Sequence, residues 1–374
     1  METMIAPNIN WEKRTHELGK IFADRAAQFD KEGRFVVENY ADLKENRYFS
    51  VSIPEELGGD GQPFDQVCNI LRNIAHYCAS TALSLSMHQH LVAAAVWKYR
   101  NKGESGPMLK KVADGQLVLV STGARDWLDS NGNMERTEGG YMLTAKKYFA
   151  SQSAAGDIAV TSAPYEDPEK GWQVLHFSVP LSAKGVTLLD DWDVLGMRAT
   201  GSQTIVFDKV FIPDAAIVLA RPRTGYHAVW DLVIGVAMPL IMSVYVGIAE
   251  KAMEIAIMLG KKYPRNQPHL PCIIGKMNNS LVSAQTQWKA MVANVKNFDF
   301  QPNQANTLEM LSLKSNVAEA CISTVDQAMN AVGGQSFYKK NILERLFRDV
   351  QGARYHPLPE WEQYRFTGER LLQG

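Results

Sequence analysis

Residues 191–213 read DWDVLGMRATGSQTIVFDKVFIP, and this stretch divides into two halves. The first half is a polar loop that contains glycine and offers the guanidinium of Arg198 and the hydroxyls of Thr200 and Ser202. In the second half two sets of side chains alternate with a period of two, which predicts a half-buried strand that ends at Pro213. The sets are Thr204, Val206, Asp208 and Val210 on one face, and Ile205, Phe207 and Phe211 on the other.

The loop half resembles the LGxR-x-T/S-x-S segment of the acyl-CoA dehydrogenase superfamily, which lies in a middle β-domain beside the flavin. A second resemblance follows near the C-terminus, where Gly333 and Gly334 precede Arg348 and Asp349. This passage is similar to the family's "GGxGF…RD" motif, whose glycines touch the adenosine end of the flavin from a neighbouring subunit. It implies a homo-oligomer, either a tetramer or a dimer. Taken alone, the glycine pair is also typical of a helix C-cap.

The periodicity of the chain predicts three domains in the order that the resemblance implies. Residues 1–114 show helical spacing and correspond to an N-terminal helical domain, and residues 115–222 carry short strand patterns separated by turn residues. Residues 223–374 return to helical spacing and predict a C-terminal four-helix bundle with helices near 226–262, 272–298, 305–332 and 339–372. The predicted fold class is therefore mainly α with a central, β-barrel-like domain.

Composition excludes several classes of function. The formal net charge is -1, and no basic stripe marks a surface for nucleic acid or for an anionic membrane. The apolar run 229–248 contains Asp231 and Pro239, which favours a buried bundle helix over a membrane span. The N-terminus lacks the apolar segment of a signal peptide, and the cysteines have no CxxC spacing. We therefore expect a cytoplasmic protein with free thiols and no metal site.

The resemblance also implies where a flavin binds. The family's "VTE" and "WIT" segments, which contact the isoalloxazine ring, correspond to residues 120–122 and 149–151. An aromatic ring next to a hydroxyl suits a flat, amphipathic ring system, although Phe149 is equally typical of strand core and Ser151 of a strand end. FAD is the expected cofactor, with FMN as an alternative. The predicted flavin contacts are Ser121, Thr122, Phe149, Ser151, Arg198, Thr200, Ser202, Gly333 and Gly334.

The chain departs from the family at the catalytic base. Acyl-CoA dehydrogenases use a carboxylate with a pKa near neutrality to remove a proton from the substrate. The two positions where the family carries it fall on Pro357 and Pro264, and the "RxxFG" segment that helps to hold the flavin pyrophosphate is also absent. Glu250, Glu254 and Glu360 are fallback bases, although Glu250 and Glu254 have the spacing of a solvated helix face.

Residues 353–356, ARYH, instead resemble the C-terminus of the two-component flavin monooxygenases that share this fold. In those enzymes the histidine of the "ARxH" motif faces the flavin, where a C4a-peroxide forms. A second histidine comes from the N-terminal domain, where SLSMHQHL supplies His88 and His90. For these two the alternatives are a helix surface or a satisfied core position. The predicted catalytic residues are His356, His90 and Arg354.

Three functions remain open at this level. The first is dehydrogenation of CH–CH groups in an acyl-CoA or a similar small substrate, which needs an electron-transfer partner. The second is a monooxygenase that receives reduced flavin from a separate flavin reductase. The third is a catalytically silent, flavin-binding member. No GxGxxG motif opens a helix after a strand, which argues against direct use of NAD.

Overall fold

The computed structural model of the chain describes residues 9–122, 128–262 and 268–373, with helices at both ends and a β-sheet between them. Helix α1 begins after Asn10, whose side chain accepts a hydrogen bond from the Lys13 N–H at 2.9 Å. It ends at Gly33, where the left-handed backbone favours glycine. The N-terminal helices are α1 (Trp11–Glu32), α2 (Val37–Glu45), α3 (Phe64–Ala75), α4 (Ala79–Lys102) and α5 (Gly106–Gly115).

The strands form one mixed sheet in the order β6-β7-β3-β2-β4-β5-β8, and β1 pairs in parallel with β4. Their inner faces enclose a hydrophobic core that is separate from the core of the helices. The predicted fold class, mainly α with a central β-domain, is confirmed; the domain limits stay predictions. The strands are β1 (Leu119–Ser121), β2 (Asn133–Thr137), β3 (Gly140–Ala150), β4 (Ile158–Asp167), β5 (Gly171–Pro180), β6 (Val186–Leu188), β7 (Gln203–Pro213) and β8 (Ile217–Pro222).

Strand β7 contains a bulge that changes which side chains face the core. Its pairing with β3 shifts between Leu143 and Ala145, because β7 has one extra residue there. Lys209 lies in the bulge with a left-handed φ of 49°. Beyond it Val210 is buried and Phe211 is 49% exposed. The period-two alternation predicted up to Phe211 therefore does not extend past the bulge, because the bulge reverses it.

The C-terminal helices confirm three predicted segments and correct the fourth. The continuous helix predicted at 339–372 is wrong, since residues 351–359 separate two helices. This segment contains Gly352 and two prolines, Pro357 and Pro359, which lack the N–H that a helix requires. It also contains His356. The helices are α6 (Val229–Lys262), α7 (Leu270–Asn294), α8 (Gln304–Val332), α9 (Ile342–Val350) and α10 (Glu360–Gln373).

Helix α6 is the central helix of the C-terminal part. Among the described residues, α6 is the one helix that is long and apolar enough to cross a membrane. However, 94% of its most apolar 18-residue window is buried in the protein. Its one acidic residue in this region, Asp231, accepts a hydrogen bond from the hydroxyl of Thr307 on α8. A Cβ on Gly247 would lie 2.3 Å from the Arg72 carbonyl oxygen, so glycine permits the close approach of α3. The prediction of a buried bundle helix is confirmed.

Candidate active site

The loop 189–202, called the central loop below, is held in place by α9. The N–H of Met197 donates to Oδ1 of Asp349 at 2.6 Å. A Cβ on Gly196 would lie 2.1 Å from the carbonyl oxygen of Arg348, so the two backbones touch. The guanidinium of Arg348 bonds both carboxylate oxygens of Asp30 on α1, at 2.9 and 2.6 Å. The central loop is thus fixed between the first helix and a C-terminal helix.

Gln152 joins the end of β3 to the central loop and to β1. Its backbone N–H donates to the Thr200 carbonyl at 2.8 Å, and its side-chain Nε2 donates to the Leu119 carbonyl at 2.9 Å. The hydroxyl of Tyr40 on α2 donates to Oε1 of the same amide. Gln152 is fully buried. Sequence reasoning missed this residue, and a polar side chain directly after a strand end was the available signal.

A chain of hydroxyls runs from the central loop to the end of β3. The Thr200 hydroxyl donates to the Met197 carbonyl at 3.0 Å, and Ser202 Oγ lies 2.7 Å from Thr200 Oγ1. Ser151 Oγ lies 2.7 Å from Ser202 Oγ. Because the carbonyl only accepts and each hydroxyl has one proton, Ser202 donates to Thr200 and Ser151 donates to Ser202. The chain therefore leaves the partly exposed Ser151 oxygen as an acceptor toward a ligand.

Phe149 presents an aromatic face next to these hydroxyls. Its side chain is 54% exposed and its backbone has a left-handed φ of 56°. Its ring meets the Trp192 ring edge-on, with centroids 6.0 Å apart. The interpretation of Phe149 as buried strand core is therefore wrong. The exposed Phe149 and the half-buried Trp192, beside Ser151, fit one face and one edge of a flat, amphipathic ring such as a flavin.

The remaining predicted flavin contacts have partners within the protein. Arg198 Nε donates to the Asp30 carbonyl at 2.9 Å, and its NH1 donates to the Val194 carbonyl at 2.8 Å. These bonds tie the central loop to α1. Thr122 Oγ1 lies 2.7 Å from Thr161 Oγ1, and Ser121 ends the strand that Gln152 contacts. A flavin contact of any of these side chains remains a prediction.

The two glycines near the C-terminus lie at a helix end. Gly333 terminates α8 with φ 70°, and its N–H donates to the Met329 carbonyl, which agrees with a helix C-cap. A Cβ on Gly334 would meet no atom within 4 Å. Phe337 and Tyr338, which follow, are 85% and 62% exposed in this single chain.

His356 lies between α9 and α10 and contacts α6. Its Nε2 lies 2.6 Å from the hydroxyl of Tyr245, and the ring centroids are 5.4 Å apart. Burial lowers the pKa of His356 to about 3, with smaller effects of Lys314 and His90 in the same direction. Burial raises the pKa of Tyr245 well above its ordinary value. Both groups are therefore uncharged at neutral pH and share one hydrogen bond.

The two histidines of α4 differ in the hydrogen bonds of their rings. His88 donates through Nε2 to the Phe49 carbonyl at 2.8 Å and accepts the Leu119 N–H on Nδ1 at 3.0 Å, so its ring is fully used within the protein. His90 donates through Nδ1 to the Ser86 carbonyl at 3.4 Å, and its neutral Nε2 is left as an acceptor. Burial lowers the pKa of His90 to about 4. The effect of His90 on His356 indicates that the two rings lie in the same region.

Arg354 is exposed, and its charge acts on a pair of carboxylates rather than on His356. The pair is Glu319 on α8 and Glu360 on α10, which both accept from the hydroxyl of Tyr364, at 3.2 and 2.7 Å. Hydrogen bonding between the two carboxylates raises the pKa of Glu319. The structure therefore places Arg354 beside the His356 segment, at the surface. A catalytic part for it remains a prediction.

The structure also bears on the predicted bases. Pro357 directly follows His356, while Pro264 lies outside the described residues. The expectation that Glu250 lies on a solvated helix face is wrong. Its carboxylate accepts from Arg72 at 3.0 Å and from Gln285 at 2.6 Å, and it lies 2.9 Å from Nε2 of His76. Within the described ranges, no cluster of three potential metal ligands occurs.

Comparisons with known proteins identify the family. Residues 18–116 match the family model described as acyl-CoA dehydrogenase, N-terminal domain, and residues 240–360 match the one described as acyl-CoA dehydrogenase, C-terminal domain. The chain is 26% identical over 356 residues to L-evernosamine nitrososynthase of Micromonospora sp., covering 88% of this chain and 82% of that protein. It is 24% identical over 346 residues to the mitochondrial short-chain specific acyl-CoA dehydrogenase of Rattus norvegicus, with coverage of 87% and 80%.

Among solved structures, methanesulfinate monooxygenase MsuC from Pseudomonas fluorescens superimposes with a TM-score of 0.82. The sequences are 20% identical, and the match covers 99% of this chain and 98% of that one, which shows a shared fold. The chain thus matches the models of both terminal domains of one family. The chain belongs to the acyl-CoA dehydrogenase superfamily of flavin-dependent oxidoreductases.

Proposed function

We propose that the chain is a monooxygenase of this superfamily, which uses reduced flavin and oxygen to oxygenate a small substrate next to His356. One observation carries the proposal: His356 is neutral and bonded to Tyr245, and it stands next to Pro357, where a dehydrogenase of this family has its carboxylate. An effective general base has a pKa near the working pH. A histidine with a pKa near 3 is a poor base for removing a carbon-bound proton.

A neutral imidazole and a phenol suit a different task. Tyr245 and His356 offer an uncharged donor and an uncharged acceptor, and His90, whose Nε2 has no partner among the described contacts, adds a second acceptor. They can orient a polar substrate and pass a proton along the Tyr245–His356 hydrogen bond. A flavin, FAD or FMN, would supply the redox chemistry. Phe149 and Ser151 would hold its ring, the first by stacking and the second by accepting a hydrogen bond.

Dehydrogenation of an acyl thioester is the second candidate, and the matches to both acyl-CoA dehydrogenase domains favour it. It requires a carboxylate base. Glu250 is bonded to Arg72, His76 and Gln285, and Glu360 is bonded to Tyr364, so the described fallback carboxylates already have partners. A dehydrogenase would therefore need a different group as its catalytic base.

The partners and location are part of the proposal. Exposed Phe337 and Tyr338, next to the glycines that resemble a subunit contact of the family, support a homodimer or homotetramer. Oxygenation with reduced flavin requires a flavin reductase, whereas dehydrogenation requires an electron-transfer partner. All four cysteines are free, which agrees with a reducing cytoplasm.

The test is a rapid-mixing experiment on protein loaded anaerobically with reduced FAD or FMN and then mixed with oxygen. A transient absorbance band before the oxidised flavin spectrum returns supports the monooxygenase. His356→Ala should remove substrate oxygenation while folding and flavin content stay near wild type. His269→Ala, at an exposed histidine, is the matched control.

Two other results would reject the proposal. Direct return of the oxidised spectrum, together with turnover of acyl thioesters in the presence of an artificial electron acceptor, would establish the dehydrogenase. Flavin binding without turnover in either assay would establish a silent, flavin-binding member.

A further inference from the structure

Lys314 is a lysine buried in the helical core. It lies on α8 with 1% of its surface exposed. Its Nζ donates to the carbonyl of Leu358 at 3.0 Å. Within the described part of the chain, the Leu358 carbonyl is the hydrogen-bond acceptor of this ammonium, and no carboxylate lies within 4 Å of it. An ammonium is rarely buried without a counter-ion unless its surroundings use the charge.

The bond to Leu358 places Lys314 at the segment that carries His356. Leu358 is 3% exposed and comes two residues after His356, in the stretch between α9 and α10. Residues 351–355 of this stretch form a short 3-10 helix, and residues 356–359 lie outside any helix. Lys314 is thus a link from the rigid helix α8 to the backbone that sets the position of the imidazole.

The charge of Lys314 also reaches His356. After burial, Lys314 is the larger of the two electrostatic influences that lower the pKa of His356 to about 3, ahead of His90. Burial lowers the pKa of Lys314 itself to about 8, and the carboxylate of Glu360 opposes this effect. Lys314 therefore remains largely charged at neutral pH, at which His356 is uncharged.

Three groups that act on His356 belong to three different helices. Tyr245 of α6 is hydrogen-bonded to its imidazole, and Lys314 of α8 and His90 of α4 lower its pKa. Asp349 of α9 acts on Tyr245, and Glu360 of α10 acts on Lys314. Of the groups that act directly on His356, Lys314 is the one that carries a charge at neutral pH.

We propose that Lys314 is a positioning residue for His356: its hydrogen bond to the Leu358 carbonyl holds the backbone of the segment that carries the imidazole. Its importance for turnover rests on the proposed function of His356. The link between Lys314 and His356 does not, and it can be measured on the protein without flavin.

Three substitutions separate the two effects of Lys314. Lys314→Met removes the hydrogen bond and the charge, whereas Lys314→Gln retains an N–H donor without the charge. Lys314→Arg retains the charge at every accessible pH. The matched control is Lys98→Met on α4, because the charge of that partly buried lysine acts on His176 rather than on His356.

The first readout is the NMR signal of the His356 imidazole at neutral pH, on protein with isotope-labelled histidine and assigned by comparison with His356→Asn. We expect Lys314→Met, which leaves the Leu358 carbonyl without its donor, to move this signal away from its wild-type position. Lys314→Arg should restore the signal toward wild type, and Lys98→Met should leave it unchanged. A wild-type signal in Lys314→Met would overturn the proposal. If Lys314→Met fails to fold, a signal in Lys314→Gln unlike that of wild type would overturn it instead, because that variant keeps a donor.

The second readout is turnover, measured as kcat and KM. Lys314→Met should lower kcat, because His356 is no longer held in place, and Lys314→Gln and Lys314→Arg, which keep a donor, should recover most of it. A kcat of Lys314→Met equal to that of wild type, while His356→Ala is inactive, contradicts the proposal. A displaced His356 signal, combined with full turnover in His356→Ala, would leave Lys314 as a positioning residue and reject the proposed function instead.

Discussion

The backbone N–H of Met197 donates to Oδ1 of Asp349 at 2.6 Å, so a residue of the central loop depends on the last turn of α9. The two residues are 152 positions apart in sequence. Thr200 bonds the Met197 carbonyl, and Ser202 and Ser151 follow along the chain of hydroxyls. A C-terminal helix therefore helps to set the position of the hydroxyls that are predicted to contact a flavin.

Asp349→Ala should loosen the central loop. Loss of the buried acceptor leaves the Met197 N–H unpaired, which costs about 1–3 kcal/mol of unfolding free energy. Flavin affinity should fall as well, since Ser151 and Ser202 lose their fixed position. Asp349→Asn retains an oxygen acceptor and should preserve most of both quantities, and Asp326→Ala, on the exposed side of α8, is the surface control. Denaturation and flavin titration measure the two effects; equal values for Asp349→Ala and wild type would contradict this prediction.

Asp349 also makes stability depend on pH. Burial raises its pKa from 3.8 to about 6, against the effect of the Met197 hydrogen bond. Between these values the folded state binds more protons than the unfolded chain, so the contribution of this group is present below pH 3.8 and is lost as pH rises through 6. The side chain of the Asp349→Asn variant does not titrate. From about pH 4 to pH 7 the unfolding free energy of this variant should therefore rise relative to that of wild type, and a difference that is constant with pH would exclude this effect.

Gly352→Ala should disturb the contact between Tyr245 and His356. A Cβ at this position would lie 2.8 Å from the Tyr245 hydroxyl, which is already bonded to His356. Overpacking of this kind costs about 1–3 kcal/mol, and substrate turnover should fall together with stability. Gly368→Ala is the control, because the Cβ on α10 would meet no atom within 4 Å and alanine favours helix. Thermal unfolding and turnover of the two variants decide the matter: similar losses in both would mean that the Tyr245 contact is unimportant.

Thr200→Val tests the chain of hydroxyls. Valine has nearly the same shape, but the Met197 carbonyl loses a donor and Ser202 loses its acceptor. Because the Met197 carbonyl keeps the Trp192 Nε1–H and the Thr200 N–H as donors, we expect a loss of about 0.5–1.5 kcal/mol in unfolding free energy. Ser202 is then free to donate to Ser151, so affinity for flavin should change more than in Thr200→Ser, which keeps the hydroxyl. Identical flavin affinity in the valine and serine variants would show that the direction of these hydrogen bonds does not matter.

Local patterns in the sequence were sufficient to predict helices and strands, but not the places where a strand or a helix is interrupted. The helical spacing predicted α6 and α8 to within a few residues, because burial of one face repeats along a helix. The bulge at Lys209 depends on the pairing of β7 with β3. The break between α9 and α10 follows from Pro357 and Pro359, which a count of apolar spacing does not take into account. A period calculated within one segment does not contain that information.

The candidate site shows the same division. His356 and Ser151 could be singled out because they lie in short motifs. The bonds of Gln152 could not be predicted, since its place after a strand end does not specify the distant residues that it reaches, among them Leu119 at 33 positions. His88 and His90 are neighbours in the sequence, yet only the structure shows that the ring of His88 is used by Phe49 and Leu119.

The buried histidines predict acid sensitivity, with His88 as the clearest case. Burial lowers its pKa from 6.5 to about 4, against the effect of the Phe49 carbonyl. Below pH 6.5 His88 binds a proton in the unfolded chain but not in the folded protein. Its contribution to the unfolding free energy is therefore present above pH 6.5 and is lost as pH falls toward 4. Each such histidine adds a slope of about 1.4 kcal/mol per pH unit in this window.

His88→Gln isolates this contribution, because it keeps a donor for Phe49 and an acceptor for Leu119 but cannot titrate. Its unfolding free energy should fall less steeply than that of wild type between about pH 6.5 and pH 4.5. His269→Gln, at an exposed histidine, should retain the wild-type slope. Denaturant unfolding at several pH values provides the comparison, and a slope for His88→Gln as steep as that of the control would mean that His88 is already protonated in the folded protein.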